Sequence, residues 1–330
     1  MEPNKAEHLG RLQTVLENEN IAATSDIAAS WKRCLTVHKF NPMRTGAANV
    51  VTASELREST ESMATILGDS DVEVDRLFRL VRAAGYLVLV SDRNGVTVTE
   101  RSDNGLRPEG TAPIVGANWS EDSEGTNGIG TSLALQRPLL VKQSEHLRLT
   151  NTQMLCVAAP LFDCSGVVAG AIDITTFRRD VSVSYLPLAL SVVAEAARRI
   201  ESRLFRQAFP KSFIMSLPDS ESINNSVPLV ALNSDYLVIG ATRAVRKRKG
   251  LTDDMLKRGV PLIRLLPGLN ECSPNLPDAE RMAIHQALAL HANNISATAA
   301  FLGISRATLY RKLHRGNRQY AASRLSTEPV

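Results

Sequence analysis

A short segment near the C-terminus constrains the fold of this chain more than any other. Residues 294–313 read NISATAAFLGISRATLYRKL, a pattern that predicts two short helices joined by a tight turn. Gly303 stands where a helix end often needs positive φ, and Ser305 is placed to cap the second helix. Apolar residues recur with helical spacing and can pack the helices together: Ala299, Leu302, Ile304, Leu309 and Leu313. This pattern is typical of a helix-turn-helix and makes DNA the first partner to consider.

Positive charge is concentrated in the same part of the chain. Of 38 basic and 34 acidic residues, seven basic and no acidic ones lie in residues 281–327. Such a patch supplies the salt-sensitive attraction to phosphates that DNA binding needs. The residues predicted to contact DNA are Ser305, Arg306, Thr308, Tyr310, Arg311, Lys312 and Arg315, with Arg318 beside them at the backbone. A structural helical hairpin with a solvated basic face is the alternative.

The remaining composition is that of a globular protein with two or three domains, at 330 residues, 44% apolar and 22% charged. No apolar run approaches the ~20 residues needed to span a bilayer. The polar N-terminus lacks the apolar core of a signal peptide, so we expect a cytoplasmic protein. The four cysteines show no CxxC spacing, and we expect no disulfide framework, no metal site and no cofactor.

Periodicity divides the first two thirds of the chain. Residues 1–84 have helical spacing, with one helix expected to begin near Ser25 and another over residues 52–84. Strand patterns follow at residues 86–92, 96–99, 138–141, 154–162 and 166–174. Turn signals join two pairs of these strands into hairpins, and a helix over residues 185–207 closes the unit. The pattern predicts an α+β fold over residues 85–207, an antiparallel sheet flanked by helices.

Residues 208–277 are predicted to form a shorter segment and a linker. Residues 228–244 have the pattern of a hairpin that enters a helix. A basic run follows, formed by Arg243, Arg246, Lys247, Arg248 and Lys249. We favour a solvated helix face for this run over contact with the DNA backbone. Residues 268–277 are rich in turn formers, so the DNA-binding domain is expected over 278–318, with a tail over 319–330.

The C-terminal segment resembles the Fis-type helix-turn-helix that ends many bacterial enhancer-binding activators. The resemblance rests on NISATAA at 294–300 and LGISRATLYRKL at 302–313. The helix before it, about residues 278–292, is expected to bury Met282, Ile284, Ala287 and Leu288. In that family this helix supplies the dimer contact, so the resemblance implies a homodimer that binds one DNA half-site with each recognition helix.

Residues 85–205 resemble the GAF domain of the acetoin-catabolism type of bacterial regulator. The matching runs are GANWSEDSEGTNGIGT at 116–131, SEH at 144–146, CVAAP at 156–160 and GAIDI at 170–174. SWKRC at 30–34 resembles the same family, and residues 227–246 match the start of its PAS domain. The resemblance implies a GAF-like antiparallel sheet flanked by helices, followed by an all-α helix-turn-helix domain.

The sequence departs from full-length members of this type, which insert an AAA+ ATPase before the helix-turn-helix. The chain has no GxxxxGK[ST] loop, and no room for that domain between residues 267 and 278. The ATP-driven remodelling of polymerase that the family performs is therefore expected to be absent.

In GAF domains the effector sits between the sheet and the loop-helix segment over it, here residues 116–131. The residues expected to contact an effector are Trp119, Asn127, Glu145, His146 and Cys156. A structural role is the alternative for each of them: a core anchor, turn geometry, a cap or ion pair, or a small buried hydrophobe. A mainly apolar pocket suits a small, mostly neutral metabolite. The resemblance implies a small alcohol, ketone or related carbon source.

Three functions fit these observations to different degrees. The first is a transcriptional regulator in which a metabolite shifts the two recognition helices of a DNA-bound dimer. The second is a Fis-like architectural protein that bends DNA, with a GAF domain that only dimerises. The third is reduction of free methionine sulfoxide, as in some GAF-fold proteins. We expect no enzyme, because Cys156 and Cys164 are predicted to lie on paired strands without a resolving role.

Overall fold

The computed structural model describes residues 5–18, 20, 24–46, 48–103, 105, 114–218, 226–266 and 276–313. The chain separates into two compact units, residues 1–265 and 266–330, and each is described by itself. Among the described residues no helix is long and apolar enough to cross a membrane.

Three helices open the first unit: α1 (Lys5–Glu17), α2 (Asp26–Thr36) and α3 (Ala53–Val81). Ser25 caps α2 by accepting a hydrogen bond from the amide of Ala28, at the helix start that the sequence predicts. Thr52 and Glu55 form a reciprocal capping box at the start of α3, which satisfies two amides that a helix terminus leaves free. These caps explain why both helices begin where they do.

A five-stranded antiparallel sheet forms the centre of the unit, with strand order β2-β1-β5-β4-β3. Its elements in chain order are β1 (Leu87–Asp92), β2 (Thr97–Arg101), α4 (Glu121–Glu124), α5 (Gly128–Leu135), β3 (Leu139–Val141), β4 (Leu155–Phe162), β5 (Val168–Thr176) and α6 (Leu186–Ala208). The predicted α+β fold, an antiparallel sheet flanked by helices, is confirmed.

The two faces of this sheet pack against different helices. The main apolar core lies between one face and the helices α3 and α6, where Met63, Leu77, Ile174 and Ile200 are buried. Alternation places the neighbouring residues of each strand on the opposite face. Register aligns Leu89, Asp173, Ala158 and Leu139 across four strands of that second face. A buried aspartate at the middle of the sheet therefore faces the α5 side.

A second antiparallel sheet follows, with strand order β6-β7-β8-β9. Its elements are β6 (Phe213–Ser216), β7 (Leu229–Leu232), β8 (Leu237–Ala241), α7 (Arg243–Lys249), α8 (Asp253–Arg258) and β9 (Val260–Pro261). The predicted hairpin that enters a helix is present as β7, β8 and α7, whereas β6, β9 and α8 were not predicted. Phe205 at the end of α6 is fully buried against Leu229 and Ala231 of β7, which joins this sheet to the first.

The second unit contains α9 (Leu276–Leu290), α10 (Ile295–Phe301) and a third helix, α11, over residues 306–313. Ile284 and Leu288 of α9 share one apolar cluster with Ala299 and Leu309. Ala287 is also buried, as predicted, while the side chain of Met282 lies outside the described residues. The all-α helix-turn-helix domain predicted for the C-terminus is confirmed.

Candidate functional site

Side-chain caps and one glycine fix the helix-turn-helix. Asn294 Oδ1 accepts from the amides of Ser296 and Ala297 at 3.0 and 3.1 Å and so caps α10. Gly303 has φ of +66°, the left-handed conformation that a tight helix end requires. Ser305 Oγ accepts from the amide of Thr308 at 3.1 Å and caps α11. Sequence and structure therefore agree on where α10 ends and where α11 begins.

Helix α11 presents a basic and aromatic face on the side away from its packed one. Leu309 is fully buried, whereas Arg306, Tyr310 and Arg311 are exposed. With Ala307, these side chains occupy neighbouring positions at i, i+1, i+4 and i+5, which lie together on a helix surface. This is the shape and charge that a recognition helix brings to the major groove.

The other residues predicted to contact DNA have different environments. The hydroxyl of half-buried Thr308 lies 2.9 Å from that of Ser305, so both side chains take part in the cap. Lys312 forms an ion pair with Glu280 of α9, which draws its charge toward the packed side of the motif. Arg315 and Arg318 lie outside the described residues. Among the described residues predicted to contact DNA, two arginines and one tyrosine therefore lie on the exposed face of α11.

In the first unit, α2 is bonded to the segment that was predicted to cover the effector pocket. Arg33 makes a two-pronged ion pair with Glu121, Nε to Oε2 at 2.6 Å and Nη2 to Oε1 at 2.7 Å. Ser30 Oγ donates to Glu121 Oε1 at 2.6 Å and lies 2.7 Å from Thr126 Oγ1. The SWKRC run is thus part of the same compact unit as the first sheet. The sequence showed the two motifs but not this contact, since about 90 residues separate them.

Two predicted effector contacts are used inside the fold. Asn127 caps α5, because Oδ1 accepts from the amide of Gly130 and Nδ2 donates to the carbonyls of Trp119 and Gly125. Glu145 Oε2 accepts from the amide of Lys142 at 2.7 Å and closes a short turn. Both side chains are thus engaged in hydrogen bonds of the fold itself.

The other three predicted contacts meet on the second face of the sheet. Trp119 packs in two adjoining apolar clusters, one with Ile129 of α5 and one with Cys156 of β4, and Phe177 joins both. The Sγ of Cys156 lies 3.4 Å from Nε2 of fully buried His146. The structure therefore brings Trp119, His146 and Cys156 together under α5, in the apolar setting that the sequence predicts.

Asp173 is a site residue that the sequence did not single out. Its carboxylate is 1% exposed, and Oδ2 accepts a hydrogen bond from Thr175 Oγ1, which also lies 3.2 Å from Cys156 Sγ. Gly128 at the start of α5 is pressed against this group, since an added Cβ would stand 2.4 Å from Asp173 Oδ1. The sequence does contain a signal for this residue, because an aspartate interrupts the apolar strand pattern GAIDI at residues 170–174.

The pKa values of the three cysteines in the described part of the chain are raised, mainly by burial, so their thiols stay protonated. Burial raises the pKa of Cys156 well above its usual range, and the neighbouring Asp173 raises it further. Burial lowers the pKa of His146 to about 4, so the imidazole is neutral and forms no thiolate–imidazolium pair. Cys164 lies in the turn after β4 and not on a strand paired with it, which corrects the prediction for that residue. The arrangement does not favour thiol chemistry.

Two buried polar atoms of this cluster have no hydrogen-bond partner in the described part of the chain. They are Oδ1 of Asp173, which is an acceptor when the carboxyl is ionised and can donate when it is protonated, and Nε1 of Trp119, a donor. A buried polar atom without a partner typically costs about 1–3 kcal/mol, so native proteins rarely leave one unpaired. A donor and an acceptor left open beside one apolar cluster are the features expected of a site for a small polar molecule.

The titration of Asp173 makes a testable prediction. Burial raises the pKa of Asp173 to about 7, so between about pH 4 and pH 7 the folded protein binds a proton that the unfolded chain has released. The free energy of unfolding should therefore fall as pH rises through this interval. Asp173→Asn removes the titrating group, and its stability relative to the natural chain should rise by roughly 2–4 kcal/mol from pH 4 to pH 7.5.

Urea unfolding at a series of pH values measures this difference. Burial also raises the pKa of Glu201 to about 7, but that carboxyl is present in both proteins and cancels in the comparison. Parallel pH dependence of the two proteins would show that Asp173 is ionised in the folded state.

Comparison with known proteins yields two domain families. The sequence profile of the GAF domain matches residues 70–204, and that of the bacterial regulatory protein, Fis family, matches residues 275–316. The GAF match begins inside α3, so this helix is part of the domain.

Two curated relatives match about two thirds of the chain. The acetoin catabolism regulatory protein of Cupriavidus necator is 33% identical over 67% of this chain and 32% of its own length. The acetoin dehydrogenase operon transcriptional activator AcoR of Bacillus subtilis is 26% identical over 67% of this chain and 36% of its own length. The chain thus spans about a third of the length of these relatives. The crystal structure of the E. coli DhaR(N)–DhaL complex contains a chain 14% identical to this one, with coverage of 79% and 85% and a TM-score of 0.45.

Proposed function

We propose that this chain is a DNA-binding transcriptional regulator controlled by a small metabolite. It carries a GAF domain and a Fis-type helix-turn-helix, and it is homologous to acetoin catabolism regulators. The observation that carries the proposal is the capped helix-turn-helix with Arg306, Tyr310 and Arg311 on its exposed face. As a bacterial DNA-binding protein it acts in the cytoplasm, where the chromosome lies.

The DNA-binding form is a homodimer. Leu276 and Leu290 of α9 are 87% and 71% exposed, although the same helix packs Ile284 and Leu288 inward. Exposed leucines on a helix support an isologous contact between two copies. A dimer places two α11 helices at a fixed spacing, so half-sites about one DNA turn apart are expected.

The effector occupies the cluster formed by Trp119, Cys156 and Asp173. A hydroxyl group of the ligand donates to Asp173 Oδ1, and a carbonyl or second hydroxyl accepts from the indole of Trp119, since both atoms lack partners in the described residues. The apolar surroundings favour a small neutral molecule with one or two oxygens, such as an alcohol or hydroxyketone. Acetoin, named in the relatives, is the first compound to test.

Regulation works without ATP hydrolysis. The GAF and Fis-type matches are separated by residues 205–274, and no GxxxxGK[ST] loop occurs in the sequence. An effector then changes DNA affinity only through its own differential binding to two states of the dimer. No catalytic residue is proposed, because the raised pKa of Cys156 keeps its thiol protonated.

The decisive experiment measures DNA binding by the full chain. Fluorescence anisotropy compares DNA from upstream of its gene with a shuffled duplex of equal composition, over a salt series, with and without acetoin. Selective binding by roughly 1000-fold or more, falling steeply with salt, supports a specific regulator. Equal affinity for both duplexes would contradict a specific regulator and support the alternative, a Fis-like architectural protein that bends DNA.

A matched pair of variants tests the effector site in the same assay. Trp119→Phe keeps the aromatic ring and removes only the indole N–H, and Asp173→Asn keeps the shape and removes the charge. Both should retain selective DNA binding and lose the response to effector. A full response in both variants would show that the effector binds elsewhere.

A further inference from the structure

A groove of about 600 Å³ lies between α6, α7 and the turn that joins α5 to β3. Four basic residues line it: Arg137, Arg198, Arg243 and Lys247. Among the described residues that line the groove none is acidic. The basic run of α7 is thus divided, because only Arg243 and Lys247 of its five basic residues line this groove. Arg246 instead pairs with Asp253, and Arg248 donates to the carbonyl of Pro218.

Arg243 is fixed at the floor of this groove. Its Nη2 donates to Gln136 Oε1 at 2.7 Å, and its guanidinium carbon lies 4.1 Å from the centre of the Phe162 ring. Close contact with Gly166 further restricts it, since an added Cβ at that glycine would stand 3.1 Å from Arg243 Cβ. A guanidinium held in this way keeps donors free for a ligand and loses little entropy when one binds.

The other three basic residues of the groove differ in whether they have an ion-pair partner. Arg137 pairs with Asp26 and Arg198 with Glu195, both at the rim. Lys247 has no oppositely charged partner in the described part of the chain. Burial, followed by repulsion from Arg243, lowers the pKa of Lys247, and burial also lowers that of Arg243. Buried Glu201 interacts with Arg243 from behind the groove, but no acidic residue is among those that line it, so a negative ligand would relieve the repulsion between Arg243 and Lys247.

From this geometry we infer that the groove binds a small organic anion, with a phosphate or carboxylate group between Arg243 and Lys247 and an apolar body against Leu135 and Leu190. Half of the lining is apolar, contributed by these leucines with Pro138 and Ala194, which suits an organic ligand better than a free inorganic ion. A concave site also favours a small molecule over the backbone of a DNA duplex. The groove is separate from the effector cluster under α5, and this inference does not depend on the proposed function.

A bound anion would connect the two sheets of the first unit, because it would contact elements that pack on both of them. The groove is formed by α6 of the GAF domain and α7 of the following segment, where Ser226 Oγ also donates to Glu201 Oε1 at 2.6 Å. An anion held between Arg243 and Lys247 of α7 and contacted by Arg198 of α6 would strengthen this connection. The groove is therefore chemically distinct from a site for a neutral molecule.

Isothermal titration calorimetry on the full chain without DNA tests the inference. The probes are phenyl phosphate, benzoate and inorganic phosphate, in chloride buffers of matched ionic strength. We expect one saturable site per chain, tighter for phenyl phosphate or benzoate than for inorganic phosphate, and the better of the two organic probes identifies the anionic group. Lys247→Ala and Arg198→Ala should each weaken binding about tenfold, because each removes one charge-assisted contact.

Lys257→Ala is the matched control, since this exposed lysine of α8 lies outside the groove and its removal changes the net charge equally. Failure of all three probes to bind, or equal weakening by the control, would overturn the inference. Loss of DNA affinity in Lys247→Ala without any anion binding would instead assign these cations to the DNA backbone. The titration contains no DNA, so neither result tests the proposed regulatory function. That function is tested separately by the DNA-binding experiment.

Discussion

Replacing Arg306 and Arg311 together by alanine should weaken binding to the selected DNA site by at least about 30-fold, since one specific arginine contact contributes roughly 1–3 kcal/mol. Both side chains are exposed on α11, next to Tyr310 and opposite buried Leu309. If one of them binds a phosphate, the dependence of affinity on salt should also become less steep, by about one ion for each phosphate that is no longer neutralised. Anisotropy titrations at several salt concentrations measure both effects.

The fold of the motif should survive this change. Alanine has high helix propensity, and neither arginine belongs to the apolar cluster of Leu288, Ala299 and Leu309. Lys257→Ala combined with Arg258→Ala is the matched control, because it removes two exposed positive charges from α8 in the first unit. Equal losses in the two double variants would mean that net charge, and not the exposed face of α11, determines DNA affinity.

Arg148→Ala should destabilise the first unit by about 3–5 kcal/mol, because it leaves a buried carboxylate without its cation. Arg148 and Glu124 form an ion pair in which the side chains are 2% and 0% exposed. Nη2 of Arg148 also donates to the carbonyl of Gly46 at 2.6 Å, and Glu124 accepts from Asn151 and from the amide of Asn49. The pair therefore holds the loop before α3 against the segment that covers the effector cluster.

A loss of that size is a large part of the roughly 5–15 kcal/mol by which domains are stable. Urea unfolding of the single variant and of Arg148→Met combined with Glu124→Gln measures it. The double variant should be the more stable of the two, since it removes the buried charge together with its partner. A single variant within about 1 kcal/mol of the natural chain would show that water reaches Glu124 and screens it.

The sequence predicted most of the sheet and the helix-turn-helix, because both depend on local pattern. Alternation located β1, β4 and β5, and a turn glycine with a capping serine located α10 and α11. The strands β6 and β9 were missed. They are two to four residues long at the edges of their sheet, where pairing with a neighbour determines the conformation more than periodicity does.

The cluster of Trp119, His146, Cys156 and Asp173 that we propose as the effector site was predictable only in part. Trp119, His146 and Cys156 do meet, since they lie in or beside motifs that the sequence displays. Asn127 belongs to the same motif, but its amide is used to cap α5. Asp173 was not foreseen, because its importance comes from the register that places it opposite Ala158 and below Gly128. Strand register and long-range ion pairs depend on tertiary packing. The residue pattern of a single strand carries no information about that packing.

The bonds between α2 and the segment around Glu121 affect how this protein can be divided. A fragment that starts at Tyr86 would keep every strand of the first sheet but would lack Arg33 and Ser30, the partners of a glutamate that is 5% exposed. It would also uncover Leu147, which packs with Trp31. During synthesis, α2 leaves the ribosome before the surface it packs against has been made. Its apolar face therefore stays uncovered until about 100 further residues have been synthesised. The smallest piece that folds like the intact sensory unit therefore includes the N-terminal helices.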